Sequence, residues 1–439
     1  MDIPSLTASF SDAYKTLVKE EPLTCAKSGM LFPAAPIPGA VIIDVGRTTI
    51  FLCKGVIDPA SSQVFADGTL YVVRKLSQKP VQVICWVSCS ATAGYTLFGP
   101  AGHNQDGGSL RVRLEAEAVR TGKSLPEITG ELFCSVKGDV IRVPGMPPMY
   151  DYESHPQETV IKGHMVGPFH LAAIELVNGC DGILVATPDC FEPTEVLEAF
   201  QAWFAETSRK VYTVGPMLPP PGENAALNEK KQSASSGEID EFMEQTLKTH
   251  GKQSLIYISF GSVYWSMQPE KIWTFLDVLV EKNIPFILSH GSPFAKIPDP
   301  IKEKVKASGL GLLSPWSPQQ TILAHPVRLF HANTNDNLIH VMPEGDRICW
   351  PYRGDQPQHT VHLTDNLGAA YELLEVRTGE LGSKPIYRTG KACTGTIEAV
   401  REEAQGILEK AFGEDGAKKR AKAVELQRAF EAVWAEGQA

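Results

Sequence analysis

Two short segments, about forty residues apart, carry the side chains that are best suited to binding a polar ligand. An indole face can stack on a planar ring, and an ionised carboxylate accepts hydrogen bonds from hydroxyl groups. Each segment pairs one such group with an amide side chain. The first reads Trp316-Ser317-Pro318-Gln319-Gln320, and the second reads Trp350-Pro351-Tyr352-Arg353-Gly354-Asp355-Gln356.

Both segments lie in a half of the chain where strand and helix patterns alternate. Residues 254–260 and 284–289 are short apolar runs that predict buried strands, and residues 269–282 have apolar side chains at helical spacing. This βαβ pattern predicts a right-handed crossover in a parallel sheet, with a ligand site at the carboxyl ends of the strands. Two further helices are predicted at about 396–412 and 415–434.

The first half has the same alternation and ends in a Pro-rich stretch. Because the apolar runs do not alternate with polar residues, they predict strands buried on both faces. A polar, Ser/Ala-rich stretch follows the prolines, as in linkers. The sequence therefore predicts an α/β fold with a first domain at 1–216, a linker at 217–252 and a second domain at 253–439. The apolar runs lie at 40–44, 81–88, 182–186 and 211–214, and a helix is predicted at 193–206.

Composition narrows the class of protein. The 439 residues suggest two or three domains of about 100–200 residues each. A formal net charge of −10 argues against nucleic acid as the main partner. No apolar run approaches the ~20 residues of a membrane-spanning helix, and the opening residues do not resemble a signal peptide. An odd count of nine scattered cysteines predicts reduced thiols and a cytoplasmic protein.

The second half resembles the family 1 UDP-dependent glycosyltransferases of the two-domain GT-B fold, and the fungal branch is the nearest look-alike. The residues that carry the resemblance are 257–262 (YISFGS), the Trp316 segment and residues 348–357, which include Trp350-Pro351 and Asp355-Gln356. The resemblance covers about residues 125–439. It implies two Rossmann-like domains with parallel sheets and helices on both faces, and a site between them. It also implies transfer of a hexose from a UDP-sugar to a hydroxyl of a small lipophilic acceptor, without a metal.

The resemblance also implies roles for single residues. Trp316 would stack on uracil, and Gln319 would contact uracil or ribose. Ser262 would meet the diphosphate, while Asp355 and Gln356 would hold the sugar hydroxyls. For four of these residues a structural alternative stays open: Trp316 as a core side chain, Gln319 as a surface helix residue, Ser262 as an ordinary turn residue, and Asp355 as a helix N-cap ahead of Pro357.

The family's signature box begins at the Trp316 segment and ends at the Trp350 segment. The centre of this box departs from the family pattern. Counting back from Trp350 without gaps, His331 and Asn335 fall on the family's diphosphate-binding His and Asn. Asp336 falls on a Ser, and Ile339 falls on the Glu that holds the ribose hydroxyls. A carboxylate some 4 Å from a phosphate charge costs about 4 kcal/mol at an effective dielectric near 20. Losing a charged hydrogen bond costs about 1.5–3 kcal/mol, so the two changes together predict donor binding weakened by about 10³-fold or more.

The beginning of the chain departs as well. It has the pattern of an amphipathic helix, with Phe10, Tyr14 and Leu17 on one face, where the family has a strand and a loop with the catalytic His. No His precedes His103, so no catalytic base is assigned, and the first domain is predicted to be incomplete. Two hypotheses follow: an active UDP-glycosyltransferase, or an impaired or inactive relative that binds ligands or acts as a scaffold.

Overall fold

A computed structural model describes part of the chain, and its contacts divide that chain into two compact units. Unit 1 is Met1–Gly145, Val160–Leu218 and Val433–Ala439, and unit 2 is Met146–Thr159 and Pro219–Ala432. The predicted amphipathic helix around Phe10 lies outside the described residues. These residues are 40–44, 70, 82–87, 89–99, 110–134, 136–160, 163–213, 230, 235–261, 264–333 and 346–435.

Unit 1 contains a parallel sheet, as the unalternating apolar runs predict. Its described strands lie side by side in the order β1 (Ala40–Asp44), β2 (Gln82–Val87), β3 (Gly182–Val185) and β4 (Lys210–Thr213). The described helices are α1 (Ala91–Phe98), α2 (Leu110–Thr121), α3 (Leu125–Cys134), α4 (Gly163–Gly179) and α5 (Thr194–Ala205), and a two-residue strand occupies Val140–Ile141.

The predicted helix at 193–206 is confirmed as α5, and its apolar positions Val196, Phe200 and Phe204 are fully buried. The turn before α5 fixes the start of α1 through the buried carboxylate of Glu192. That carboxylate accepts hydrogen bonds from the backbone N–H groups of Ala91 at 2.6 Å and of Thr92 at 3.3 Å. Burial raises the pKa of Glu192, and these donors oppose the rise.

Unit 2 contains a doubly wound parallel sheet. Its strands are β5 (Leu255–Ser259), β6 (Phe286–Ser289), β7 (Gly311–Ser314), β8 (Arg328–Asn333), β9 (Asp346–Cys349) and β10 (Ala370–Glu372). They lie in the order β7-β6-β5-β8-β9-β10, all parallel. The chain order reverses between β5 and β8, and ligands bind at such a switch point, outside the carboxyl ends of the strands.

The helices of unit 2 confirm the predicted βαβ unit and the two helices near the end of the chain. None of the described helices is both long enough and apolar enough to cross a bilayer. The helices are α6 (Ser236–His250), α7 (Glu270–Glu281), α8 (Asp299–Ser308), α9 (Gln319–Ala324), α10 (Gln356–Val361), α11 (Gly379–Gly382), α12 (Ile397–Ala411) and α13 (Glu414–Ala435), and a two-residue strand occupies Met149–Tyr150.

The structure differs from the predicted domain limits in two places. Helix α6 lies inside the predicted linker 217–252, because Ile239 and Met243 are buried in a cluster with Leu255 and are therefore core residues of unit 2. The segment Met146–Thr159 belongs to unit 2, although it falls within the predicted first domain. Its side chains form hydrogen bonds with residues more than 190 positions later in the chain, which composition alone does not reveal.

Candidate functional site

Three loops meet closely at the carboxyl edge of the sheet in unit 2. Gly291 lies in the loop after β6, and a Cβ atom at this position would lie 3.2 Å from the carbonyl oxygen of Pro315 and 3.8 Å from that of Gly261. Pro315 follows β7 and Gly261 follows β5. Because the backbones approach this closely, a larger side chain at 291 would push the loops apart.

The loop after β7 folds back over the sheet edge and brings Gln319 to the end of β5. The Gln319 Nε2 donates a hydrogen bond to the Oγ of Ser259, at 3.2 Å. Gln319 is half-buried at the start of α9 and is tied to the sheet edge by its amide N–H, and this bond does not use its side-chain carbonyl oxygen. Sequence analysis did not assign Ser259, although the strand end at which it lies was predicted.

Trp316 lies in the same loop and is not a core residue, because 39% of its surface is exposed. The buried Ser314 donates a hydrogen bond from its Oγ to the carbonyl oxygen of Trp316, at 2.7 Å, and so fixes the turn that carries the indole. The core alternative for Trp316 is wrong. A partly exposed indole on a fixed turn at the sheet edge is suited to stack on a planar ring.

His290 is a residue that the sequence analysis missed. It directly follows β6, and its backbone N–H donates to the carbonyl oxygen of Ser314 at 2.9 Å, which places it beside the Trp316 turn. Burial, more than the charge of Lys302, lowers the pKa of the half-buried imidazole. The neutral ring has one donor and one acceptor nitrogen. Its place as the first residue after a predicted strand is the signal that would have identified it.

The second segment forms a closed turn after β9. Trp350 is buried in the core, edge-on to Phe260 with ring centroids 5.3 Å apart. Tyr352 stacks on Tyr264 with ring centroids 4.3 Å apart, and its backbone N–H donates to the Oε1 of Gln356 at 2.8 Å. Gly354 has a φ of 75°, which glycine adopts without strain. Gln356 therefore closes the turn through its carbonyl oxygen and keeps its amide N–H groups for a ligand.

Asp355 ends this turn with an uncompensated carboxyl group. It occupies the N-cap position of α10, but its side chain makes no capping hydrogen bond. Within the described residues, only the backbone of Asp355 itself bonds to this carboxyl, and burial raises its pKa. The helix-cap alternative therefore does not describe what the side chain does. An ionised carboxylate without partners is a strong acceptor for hydroxyl donors.

The structure brings four of the predicted site residues, Trp316, Gln319, Asp355 and Gln356, to one edge of one sheet. Strands β7 and β9 are separated by four strand spacings, roughly 19 Å at ~4.8 Å each. Gln319 is bonded to Ser259 at the end of β5, so it lies closer to β9 than the end of β7 does.

Of the other predicted site residues, only His331 is among those that the structure describes. His331 is described by its backbone, in β8, where it pairs with Tyr257 and with Arg347. Ser262, Asn335, Asp336 and Ile339 lie outside the described residues, so their roles stay predictions. Among the described residues, no cluster of three or more His, Cys, Asp or Glu side chains is arranged to hold a metal ion.

A doubly wound parallel sheet with an exposed indole and a carboxyl group at its carboxyl edge places the protein among the open α/β sheet proteins, in which ligands bind at that edge. No family model matches the sequence. UDP-glycosyltransferase eriJ of Hericium erinaceus is 32% identical over 351 residues, which cover 78% of this chain and 68% of that protein. UDP-glycosyltransferase 72B2 of Arabidopsis thaliana is 26% identical over 232 residues, which cover 47% of this chain and 46% of that protein.

Solved structures share the fold. A UGT transferase from Siraitia grosvenorii in complex with UDP has a TM-score of 0.61 at 17% identity, and the match covers 98% of this chain and 82% of that chain. Medicago truncatula UGT71G1, complexed with UDP-glucose, has a TM-score of 0.60 at 16% identity, with 98% and 75% covered. The chain belongs to the UDP-glycosyltransferase family, and the predicted GT-B fold with two Rossmann-like domains is confirmed.

Proposed function

We propose that this protein binds a UDP-sugar at the carboxyl edge of the sheet in unit 2 and transfers the hexose to a hydroxyl of a small lipophilic acceptor. The observation that supports this most directly is the pair of Trp316 and Asp355. An exposed indole follows one strand of the sheet, and a carboxyl that makes no capping bond, and that among the described residues accepts only from its own backbone, follows another. The two lie on opposite sides of the switch point. A nucleotide sugar has a planar base at one end and hydroxyl groups at the other, so it matches both.

Each contact has its own chemistry. Uracil stacks on Trp316, which contributes about 1–3 kcal/mol, and Gln319 offers its carbonyl oxygen to the base or ribose. The sugar hydroxyls donate to Asp355 and accept from the amide of Gln356. Ser262, His331 and Asn335 are proposed for the diphosphate, by their match to the family box.

The reaction is a substitution at the anomeric carbon. The acceptor oxygen forms a bond to this carbon, the carbon–oxygen bond to the diphosphate breaks, and UDP leaves with the electron pair. The acceptor proton passes to a base, which the described residues do not identify. Relatives named for flavonoid and anthocyanidin glucosylation support a small acceptor. No metal enters the proposal, and the reduced thiols predicted from the sequence support a cytoplasmic location for the reaction.

The test is stabilisation by UDP, measured as a shift of the thermal unfolding temperature. A ligand at 100 times its dissociation constant adds about 2.7 kcal/mol to the free energy of unfolding. Trp316→Ala removes the stacking surface and is expected to raise the dissociation constant of UDP by about 5–150-fold. Phe412→Ala is the matched control, because Phe412 is also exposed but follows α12. Equal UDP affinity in the Trp316 and Phe412 variants would refute the assignment of the indole.

A second candidate function is binding of a UDP-sugar without transfer. It is favoured by Asp336 and Ile339, which stand where the family has a Ser and a Glu. Release of UDP from UDP-glucose, followed with a phenolic and a terpenoid acceptor, separates the two functions. Saturable binding of UDP-glucose with no UDP release would favour the second.

A further inference from the structure

The segment Met146–Thr159 contacts the turn that carries Asp355. The hydroxyl of Thr159 is hydrogen-bonded to the phenol hydroxyl of Tyr352, and Tyr352 in turn stacks on the buried Tyr264. Tyr352 lies three residues before Asp355. One face of its ring is therefore held by packing, and the tip of its side chain is held by Thr159.

Gln157 contacts the same turn at its first residue. Its Nε2 donates to the carbonyl oxygen of Pro351 at 3.3 Å and to that of Val376 at 3.4 Å. Its Oε1 accepts a hydrogen bond from the hydroxyl of Thr378 at 3.1 Å. The side chain is buried, so these bonds are shielded from water. Gln157 therefore joins the Pro351 turn to the loop after β10.

The segment is itself firmly attached to unit 2. The carbonyl oxygen of Pro156 accepts from the N–H of Thr378 at 3.0 Å. The Tyr152 hydroxyl donates to the carbonyl oxygen of Pro385 at 2.6 Å, and the buried carboxyl of Glu153 accepts from the N–H of Tyr387 at 2.9 Å. The segment is thus held in place on unit 2 by hydrogen bonds along its length.

These contacts bear on the carboxyl because they hold two residues of the turn that ends at Asp355. Gln356 closes it by accepting from the N–H of Tyr352. Gly354 adopts a positive φ, and the position that a Cβ atom would occupy there is open, so no neighbour contacts the turn from that side. The position of Asp355 is then set by what holds Pro351 and Tyr352.

We infer that Gln157 and Thr159 are positioning residues for the sugar contact: they hold the Pro351–Tyr352 turn so that the carboxylate of Asp355 meets the sugar hydroxyls. This inference rests on the proposed function, in which Asp355 binds the sugar and Trp316 binds the base. It predicts an effect on the sugar end of the ligand alone. A residue that supported only the fold of unit 2 would affect UDP and UDP-sugar equally.

The experiment measures dissociation constants for UDP and for UDP-glucose by titration calorimetry. Thr159→Val keeps the shape of the side chain and removes the hydroxyl. It is expected to raise the constant for UDP-glucose about five-fold and to leave that for UDP within about two-fold. Thr159→Ser restores the hydroxyl and is expected to restore the affinity. Glu158→Gln is the control, because Glu158 lies in the same segment with its side chain exposed.

Tyr352→Phe removes the same hydrogen bond from the other partner, and it provides a second variant if Thr159→Val fails to fold. The two changes act through one bond, so the double variant is expected to match either single variant. Unchanged UDP-glucose affinity in both single variants would overturn the inference, and so would an equal loss for UDP and UDP-glucose. Absence of UDP binding by the unmodified chain would instead refute the proposed function.

Discussion

Replacement of Asp355 by alanine separates a ligand-binding carboxylate from a structural one. A helix-capping Asp contributes typically about 1 kcal/mol to stability, through a hydrogen bond to the backbone of the first turn. Asp355 stands at the cap position of α10 without that bond. Asp355→Ala is therefore expected to cost no stability at neutral pH.

The raised pKa of Asp355 also predicts how the stability of the Asp355→Ala variant depends on pH. Burial raises the pKa of Asp355 above its ordinary value, so the folded state binds the proton more tightly than the unfolded state does. The ionised carboxyl then destabilises the fold at every pH above the folded pKa, and this cost disappears below the unfolded one. Asp355→Ala is expected to increase the free energy of unfolding at pH 8 and to leave it unchanged near pH 3.

The effect on ligand binding has the opposite direction. Each hydrogen bond from a sugar hydroxyl to the carboxylate contributes about 1.5–3 kcal/mol, so its loss raises the dissociation constant of UDP-glucose by about 10–150-fold. UDP lacks the hexose whose hydroxyls Asp355 is proposed to bind, so its affinity is expected to stay the same. Asp355→Asn keeps one acceptor oxygen, so its dissociation constant for UDP-glucose is expected to lie between those of the unmodified chain and Asp355→Ala.

Urea unfolding at both pH values and calorimetric titration with UDP and UDP-glucose make up the assay. Asp299→Ala is the matched control, because Asp299 is also an acidic residue at the start of a helix, and its carboxylate is exposed and paired with Lys302. A destabilised Asp355→Ala variant with unchanged UDP-glucose affinity would refute the reasoning, because it would mark the residue as a helix cap.

Two further expectations concern the pH response and the departures from the family box. Glu403 accepts hydrogen bonds from the N–H groups of Leu374 and Glu375, and burial raises its pKa from 4.5 to about 7. The folded state therefore holds the proton of Glu403 between these values, and stability falls as pH rises. Glu403→Gln is expected to remove roughly 2–3 kcal/mol of the loss between pH 5 and pH 8, and an unchanged difference in urea unfolding would contradict this. Asp336→Ser combined with Ile339→Glu is expected to tighten UDP binding by about 10³-fold in calorimetry, whereas level or weaker binding would show that the counted register is wrong.

The sequence predicted the secondary structure well where the pattern itself carries the physics. Unalternating apolar runs mark strands that are buried on both faces, and β2, β3 and β5 are such strands. Helix α5 was predicted because its apolar side chains recur at helical spacing. Helix α6 was predicted as linker, because its buried face consists of Ile239 and Met243 among polar neighbours, which is a weak signal beside the Pro-rich stretch before it.

The candidate site, like the secondary structure, could be predicted from the sequence only in part. The resemblance to the family pointed to Trp316 and Asp355, and their residue types suit the implied roles, since an indole can stack on a base and a carboxylate can accept several hydroxyl bonds. The alternatives of a core indole and a helix cap could not be rejected from the sequence, because exposure and capping depend on neighbours that are distant in the chain. The 39% exposure of the indole and the missing cap bond are properties of the folded chain.

By itself, the sequence determined the class of fold, the family and the segments that carry the candidate site residues, because these depend on periodicity and on residue types at short range. Only the tertiary structure decided that Gln319 reaches Ser259 and that residues 156–159 support the turn of Asp355. These contacts join residues 60 and more than 190 positions apart. Hydrogen bonds over such separations form because strands from distant parts of the chain share one sheet edge, and no local pattern records them.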